Sequence, residues 1–208
     1  MVTYIFKGKI TNSIPYVLVL ISCIFRIMMP NEVITTLSST LDRLIYLLYP
    51  LALWCYLQKI YTFFSSYYIR QRYARAKYFL TRQFLCELLL AVTFSLFLTV
   101  INIILYWQFI GSIEVLSFFV DTCSIYILLI SIIHLVYILK KDYKISFLVG
   151  YSCLFILYLY PLTILLISLG ITMQLDTVIS IVSLSTMFIA FVLSCIYGKK
   201  ERDFYEDI

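Results

Sequence analysis

Charge is scarce in this sequence. Of its 208 residues, 11 are acidic and 16 basic, so charged side chains make up 13% while 63% are hydrophobic; an ordinary soluble domain is about 25% charged. A chain of this composition reads as an integral membrane protein. Histidine occurs once, as His134, which excludes the two-histidine metal motif HExxH. A GxSxG nucleophile elbow, paired glutamates and a GxxxxGK[ST] phosphate loop are missing as well. Catalytic residues, a bound metal and a cofactor are therefore not expected on this chain, and it does not hydrolyse ATP itself. The six cysteines, at 23, 55, 86, 123, 153 and 195, fall roughly one per apolar segment, without a CxxC pair. They read as small buried apolar side chains rather than disulfides or zinc ligands.

What is present is apolar length. At about 20 apolar residues per crossing, the chain accommodates six spans with short loops and no separate soluble domain. Residues 1–12, with Lys7 and Lys9, form an interfacial segment. Residues 13–66 hold spans 1 and 2, 67–83 a cytosolic basic helix, 84–139 spans 3 and 4, 145–197 spans 5 and 6, and 198–208 a charged tail. The first apolar run follows two lysines as a signal peptide would, but it lacks a small-residue cleavage site and is read as a retained span. Kinks are expected at Pro50 and Pro161. Lys140, Lys141 and Lys144 mark a connection so short that spans 4 and 5 must form a tight hairpin. With both termini cytosolic, thirteen Lys and Arg lie inside against Arg26 and Arg43 outside, Lys59 being within span 2. That bias obeys the positive-inside rule and supports an even number of spans. The expected fold is all-α: a polytopic, multi-pass protein of the cell (plasma) membrane with six transmembrane helices.

The longest polar interruption, YYIRQRYARAKYFLTRQFLCE from Tyr67 to Glu87, carries Arg70, Arg72, Arg75, Lys77 and Arg82. On a helix, Ile69, Tyr73, Ala76 and Leu80 make one apolar stripe, and Arg72, Arg75 and Arg82 fall elsewhere. The segment is thus an amphipathic helix at the membrane surface. Anchoring to anionic lipid would be worth about 1 kcal/mol per basic residue. Four of the five charges are arginine, interleaved with tyrosine, a pairing enriched at protein interfaces, so Arg70, Arg72, Tyr73, Arg75 and Lys77 are candidates for docking a cytosolic partner. The net charge of +5 belongs to topology and gives no reason to expect nucleic acid.

Polar groups inside spans are costly and are functional candidates by default. Five stand out: Arg26, near the outer end of span 1 and within reach of Glu32 or Asp42; Glu87, one turn into span 3; Asn102, near its far end; Asp121, two turns into span 4; and His134. Glu87 is placed where its side chain still reaches the inner surface, and structural pairing is favoured over an ion or proton role. His134 is placed near the inner interface without a catalytic role.

The layout of six spans, cytosolic termini, an interfacial N-terminus and the arginine-rich stretch around 67–90 resembles the small permease subunits of type-2 ABC exporters. The resemblance implies that Arg70 to Arg82 form a coupling helix entering a cleft on an ABC ATPase subunit. It also implies that Lys7 and Lys9 lie on a connecting helix, that ATP and magnesium are held by the partner ATPase, and that a second permease copy or a different permease chain completes the transporter. Gly170 to Asp176 is too short for the re-entrant helices that many members insert there. An apolar or amphipathic cargo, whether peptide, lipid or drug, would be expected. Two alternatives remain. One is a stand-alone membrane protein of immunity or lipid remodelling. The other is a substrate-binding membrane subunit of a vitamin importer, which calls for small residues at i and i+4 in span 1, whereas Ser13 faces Val17 and Ser22 faces Arg26.

Overall fold

A computed structural model describes residues 13, 16–21, 23, 24, 47–65, 79–106, 112–159 and 175–206. Five helices account for nearly all of them: α1 Tyr49–Ser65, α2 Phe79–Tyr106, α3 Ser112–Lys140, α4 Tyr143–Leu159 and α5 Leu175–Glu206. Helical backbone also occurs at 16–21, where Leu18 joins the core. Among the described residues there is no strand. Among the described residues, three helices are long and apolar enough to cross a bilayer, over Phe79–Ile104, Val115–Lys140 and Val178–Gly198, and Tyr143–Leu157 is a shorter apolar helix. The protein is therefore an all-helical membrane protein. Arg26, Arg70, Arg72, Tyr73, Arg75, Lys77 and Pro161 lie outside the described residues.

The helices bury themselves unequally. Of the apolar window of α3, 67% is buried inside the protein, against 50% for α2 and 22% for α5. α3 is accordingly the central helix, packed against α2, α4 and α5, and it is apolar on every side, as a helix enclosed by others must be. α5 is peripheral, and Leu184, Phe188 and Ile196 stand exposed on it; in a bilayer that surface is solvated by lipid tails. α1 buries one stripe, Tyr49, Leu53, Tyr56, Leu57, Ile60, Tyr61 and Phe64, at the i, i+4, i+7 spacing of a single helix face.

Aromatic rings join these elements. Trp54 stacks on Phe147 at 4.3 Å, and Tyr61 meets Tyr137 at 4.6 Å and Tyr143 at 6.1 Å between ring centroids. Those contacts bring the end of α1 to the end of α3 and the start of α4. Phe64 and Phe79 touch edge to face at 5.4 Å, closing the base of the segment that links α1 to α2. Pro50, expected to kink a span, is the second residue of α1, which follows directly on helical backbone of the wider π type. The two residues before α1, Leu47 and Leu48, form a wide π-type turn. The Leu47 carbonyl accepts a hydrogen bond from the Tyr151 hydroxyl at 3.0 Å. α2 begins at Phe79, so residues 79–83 are continuous with the apolar helix rather than separate from it.

The tight hairpin anticipated from Lys140, Lys141 and Lys144 is present, and its two-residue connection has chemistry at both ends. Lys141 adopts a left-handed backbone, φ 56°, and its N–H donates to the Tyr137 carbonyl at 2.8 Å, which closes α3 in the αL manner. Asp142 then caps α4: its Oδ1 accepts from the N–H groups of Lys144 at 2.8 Å and Ile145 at 3.3 Å, two donors that a helix start leaves unpaired. Farther along the hairpin, α3 and α4 approach so closely that a Cβ on Gly150 would lie 2.7 Å from Ile133 Cγ1 and 3.2 Å from Leu129 Cδ1. Gly150→Ala is expected to destabilise by about 1–3 kcal/mol, the usual cost of overpacking. Adding Ile133→Ala should recover part of that loss, because the two sites share one space. Thermal unfolding of the four proteins in one detergent measures both effects.

Candidate functional site

Three helices bring ionisable and hydroxyl groups together in the interior. On α2, Gln83 and Glu87 are one turn apart and share a face. The Gln83 Nε2 donates to Glu87 Oε1 at 2.9 Å. Glu87 Oε2 lies 2.8 Å from Nδ1 of His134 on α3, and His134 Nε2 lies 2.9 Å from Oγ of Ser194 on α5. Ser194 Oγ in turn donates to the Ala190 carbonyl at 2.6 Å. Gln83, Glu87, His134 and Ser194 are each fully buried, at 0% exposure. The Phe84 ring, 4.7 Å from the His134 ring between centroids, covers the imidazole.

Glu87 therefore pairs, as expected, but inward; its carboxylate does not reach the surface. His134 is enclosed by the bundle, as the middle member of a chain of contacts spanning α2, α3 and α5. The reason is geometric. Glu87 is two turns into α2 and His134 two turns before the end of α3, so antiparallel packing puts them at the same depth. Alongside, Thr81 Oγ1 and Cys195 Sγ approach to 3.5 Å across the α2–α5 contact. The Tyr61 hydroxyl of α1 lies within electrostatic reach of Glu87, although it has no hydrogen-bond partner among the described residues. Gln83 Oε1 and the hydroxyl of Ser131, one turn before His134, are also buried without a partner there.

No protein-family model, curated protein or solved structure matches the chain. The site is thus read from its own geometry. Serine, histidine and carboxylate in this order have the spacing of a hydrolytic triad. Ser194, however, lies in the interior of α5, where backbone N–H groups are committed to the helix ladder and leave no oxyanion donor. Its hydroxyl proton is also directed at Ala190. The arrangement joins α2, α3 and α5 through side-chain contacts. No group of three or more His, Cys, Asp or Glu able to hold a metal occurs among the described residues.

The remaining candidates are separate from this cluster. Asn102 is fully buried near the other end of α2, and its Nδ2 donates to the Leu98 carbonyl of its own helix at 2.9 Å. Asp121 is half-buried and accepts from Ser117 Oγ at 3.2 Å. The described cysteines are half-buried rather than enclosed, and none is in a disulfide. Sequence reasoning missed Ser194, Gln83 and Tyr61; only the i, i+4 pairing of Gln83 with Glu87 was available as a signal.

Ser194→Ala removes the hydroxyl facing His134 Nε2. It is expected to cost about 1–3 kcal/mol, the penalty of a buried polar group left unpaired. Ser185→Ala, at an exposed site on the same helix whose hydroxyl bonds back to Ile181, should stay within about 0.5 kcal/mol. Thermal unfolding of the two variants makes the comparison.

Proposed function

We propose that this chain is a six-span membrane permease subunit of an ATP-driven exporter of the type-2 ABC class, working with a separate ATPase chain. The observation that carries the reading is the gathering of helix ends on one face. Tyr61 against Tyr143, Glu87 against His134 and Ser194, and Phe64 against Phe79 put four ends together: the end of α1, the start of α2, the end of α3 and the start of α4. The last third of α5 lies beside them. Ser65 and Phe79, which bound in sequence the segment holding Arg70, Arg72, Tyr73, Arg75 and Lys77, belong to two of those ends, and the hairpin with Lys140, Lys141 and Lys144 joins the other two. A single basic face is what the positive-inside rule assigns to the cytosol and what a cytosolic ATPase would engage.

The bundle interior supports an apolar or amphipathic cargo. Polar residues follow the buried side of α2, but Ser95 and Thr99 donate to the carbonyls of Ala91 and Ser95, so their hydroxyl protons are committed to their own helix. ATP binding on the partner would press on the 66–78 segment and shift α1 and α2, the two helices it joins. Coupling of that kind needs an element with two arrangements.

The test is a gentle-detergent pull-down of the tagged chain from its native membrane, with identification of what accompanies it. A stoichiometric P-loop ATPase is expected, together with its loss in an Arg72→Glu, Arg75→Glu double variant. Unchanged co-purification in that variant removes the docking role. Recovery of the chain alone, where a control transporter stays intact, favours a stand-alone membrane protein.

A further inference from the structure

The outer surface of the α3–α4 hairpin changes character at one level. The apolar span of α3 ends at Lys140. Lys140 and Lys144 are exposed, and neither is in an ion pair among the described residues. Asp142 between them is half-buried, and its carboxylate accepts from the N–H groups of Lys144 and Ile145, so the acid of the connection is engaged by its own backbone. Positive charge is left facing outward. Deeper along α4 the same face turns apolar: Ile145, Leu148, Val149, Phe155 and Ile156 are exposed. With Lys144 they occupy one face of the helix, at i, i+1, i+4, i+5, i+11 and i+12, and Ser152 is the polar residue within it. The other face carries Phe147, Gly150 and Leu154 into the bundle, where α4 packs on α3 and α1.

We propose that this surface binds one anionic phospholipid, with its phosphate at Lys140 and Lys144 and an acyl chain along the exposed strip of α4. The dimensions agree. From Ile145 to Ile156 the strip is about 16 Å long at about 1.5 Å per residue, and one leaflet contributes about 15 Å of hydrocarbon. Lysine at the mouth of the strip stands where a headgroup lies, and its long side chain can place the ammonium at the phosphate while the stem stays on apolar surface. A second copy of the chain is a poorer occupant. A twofold axis along the membrane normal would bring the two Lys144 residues together at one depth, like charge against like. A soluble acidic protein would meet the lysines and leave the strip bare. A phospholipid covers both at once. The inference does not depend on an ATPase partner.

Native mass spectrometry of the full chain, freed of lipid in a neutral detergent, counts the lipids bound as dioleoyl phosphatidylglycerol or dioleoyl phosphatidylcholine is added. One phosphatidylglycerol is expected to bind more tightly than phosphatidylcholine by about tenfold or more, as two lysines beside an anionic headgroup imply. Equal affinities overturn the proposal. Lys140→Gln combined with Lys144→Gln should remove the preference. Arg82→Gln is the control for charge. Arg82 is exposed on α2 and lies five residues from Glu87, as Leu139 does from His134, so it shares the depth of the lysines on a helix outside the hairpin. Arg82→Gln should keep the preference that Lys144→Gln alone reduces; equal losses indicate diffuse attraction to the whole face and overturn the site. Excess glycerol 3-phosphate should leave the bound lipid in place. Displacement shows a site for free phosphate and overturns the role of the strip. A dimer that excludes phosphatidylglycerol assigns the strip to a second copy and overturns the proposal.

Discussion

A carboxylate and an imidazole with no access to water must satisfy each other, and the 2.8 Å contact between Glu87 and His134 sets the terms for the rest of the bundle. Neither group is tolerable alone at that depth, since an unpaired buried charge is far more costly than a paired one. Their pairing fixes the relative height of α2 and α3. Ser194, reaching the far side of the imidazole, fixes α5 against both. Gln83 completes the carboxylate from its own helix. Apolar packing in a membrane discriminates poorly between one register and the next, because lipid tails are as apolar as leucine. A polar chain of contacts discriminates well.

The other half of the bundle is held by shape. Trp54, Tyr61, Tyr137, Tyr143, Phe147 and Tyr151 carry α1 onto the α3–α4 hairpin. Gly150 lets that hairpin close to a distance at which a Cβ would press on the Ile133 and Leu129 side chains. Tyr61 stands between the halves, with its ring in the aromatic set and its hydroxyl buried within electrostatic reach of Glu87. The basic segment 66–78 begins one turn after Tyr61 and ends one turn before Gln83. Whatever binds or moves that segment acts on α1, held by the aromatic set, and on α2, held by the Glu87–His134 contact.

Much of this architecture was legible in the sequence, and the reasons are physical. Scarce charge and long apolar runs imply membrane helices, and α2, α3 and α5 follow those runs closely. The lysine cluster at 140–144 announces the hairpin, and Asp142 supplies its cap. Glu87 and His134 were recognisable as costly residues, because any ionisable group within an apolar run is conspicuous. Their partnership was not legible. They are far apart in the chain, and the neighbours of each in sequence do not say which helix face it occupies or what that face meets. Ser194 was invisible for another reason: α5 carries several serines and threonines, most bonded back to their own helix. Nothing local distinguishes the one that faces a histidine.

The central claim is that Glu87 and His134 act as one unit, and a double-mutant cycle tests it most directly. Thermal unfolding would be compared for the wild type, Glu87→Leu, His134→Leu and the double variant in one membrane mimetic. Each single substitution should destabilise by about 3–5 kcal/mol by stranding its partner in the interior, and the double variant, with no stranded group, should be markedly more stable than the sum of the two. Additive losses, or single variants as stable as the wild type, would contradict the account.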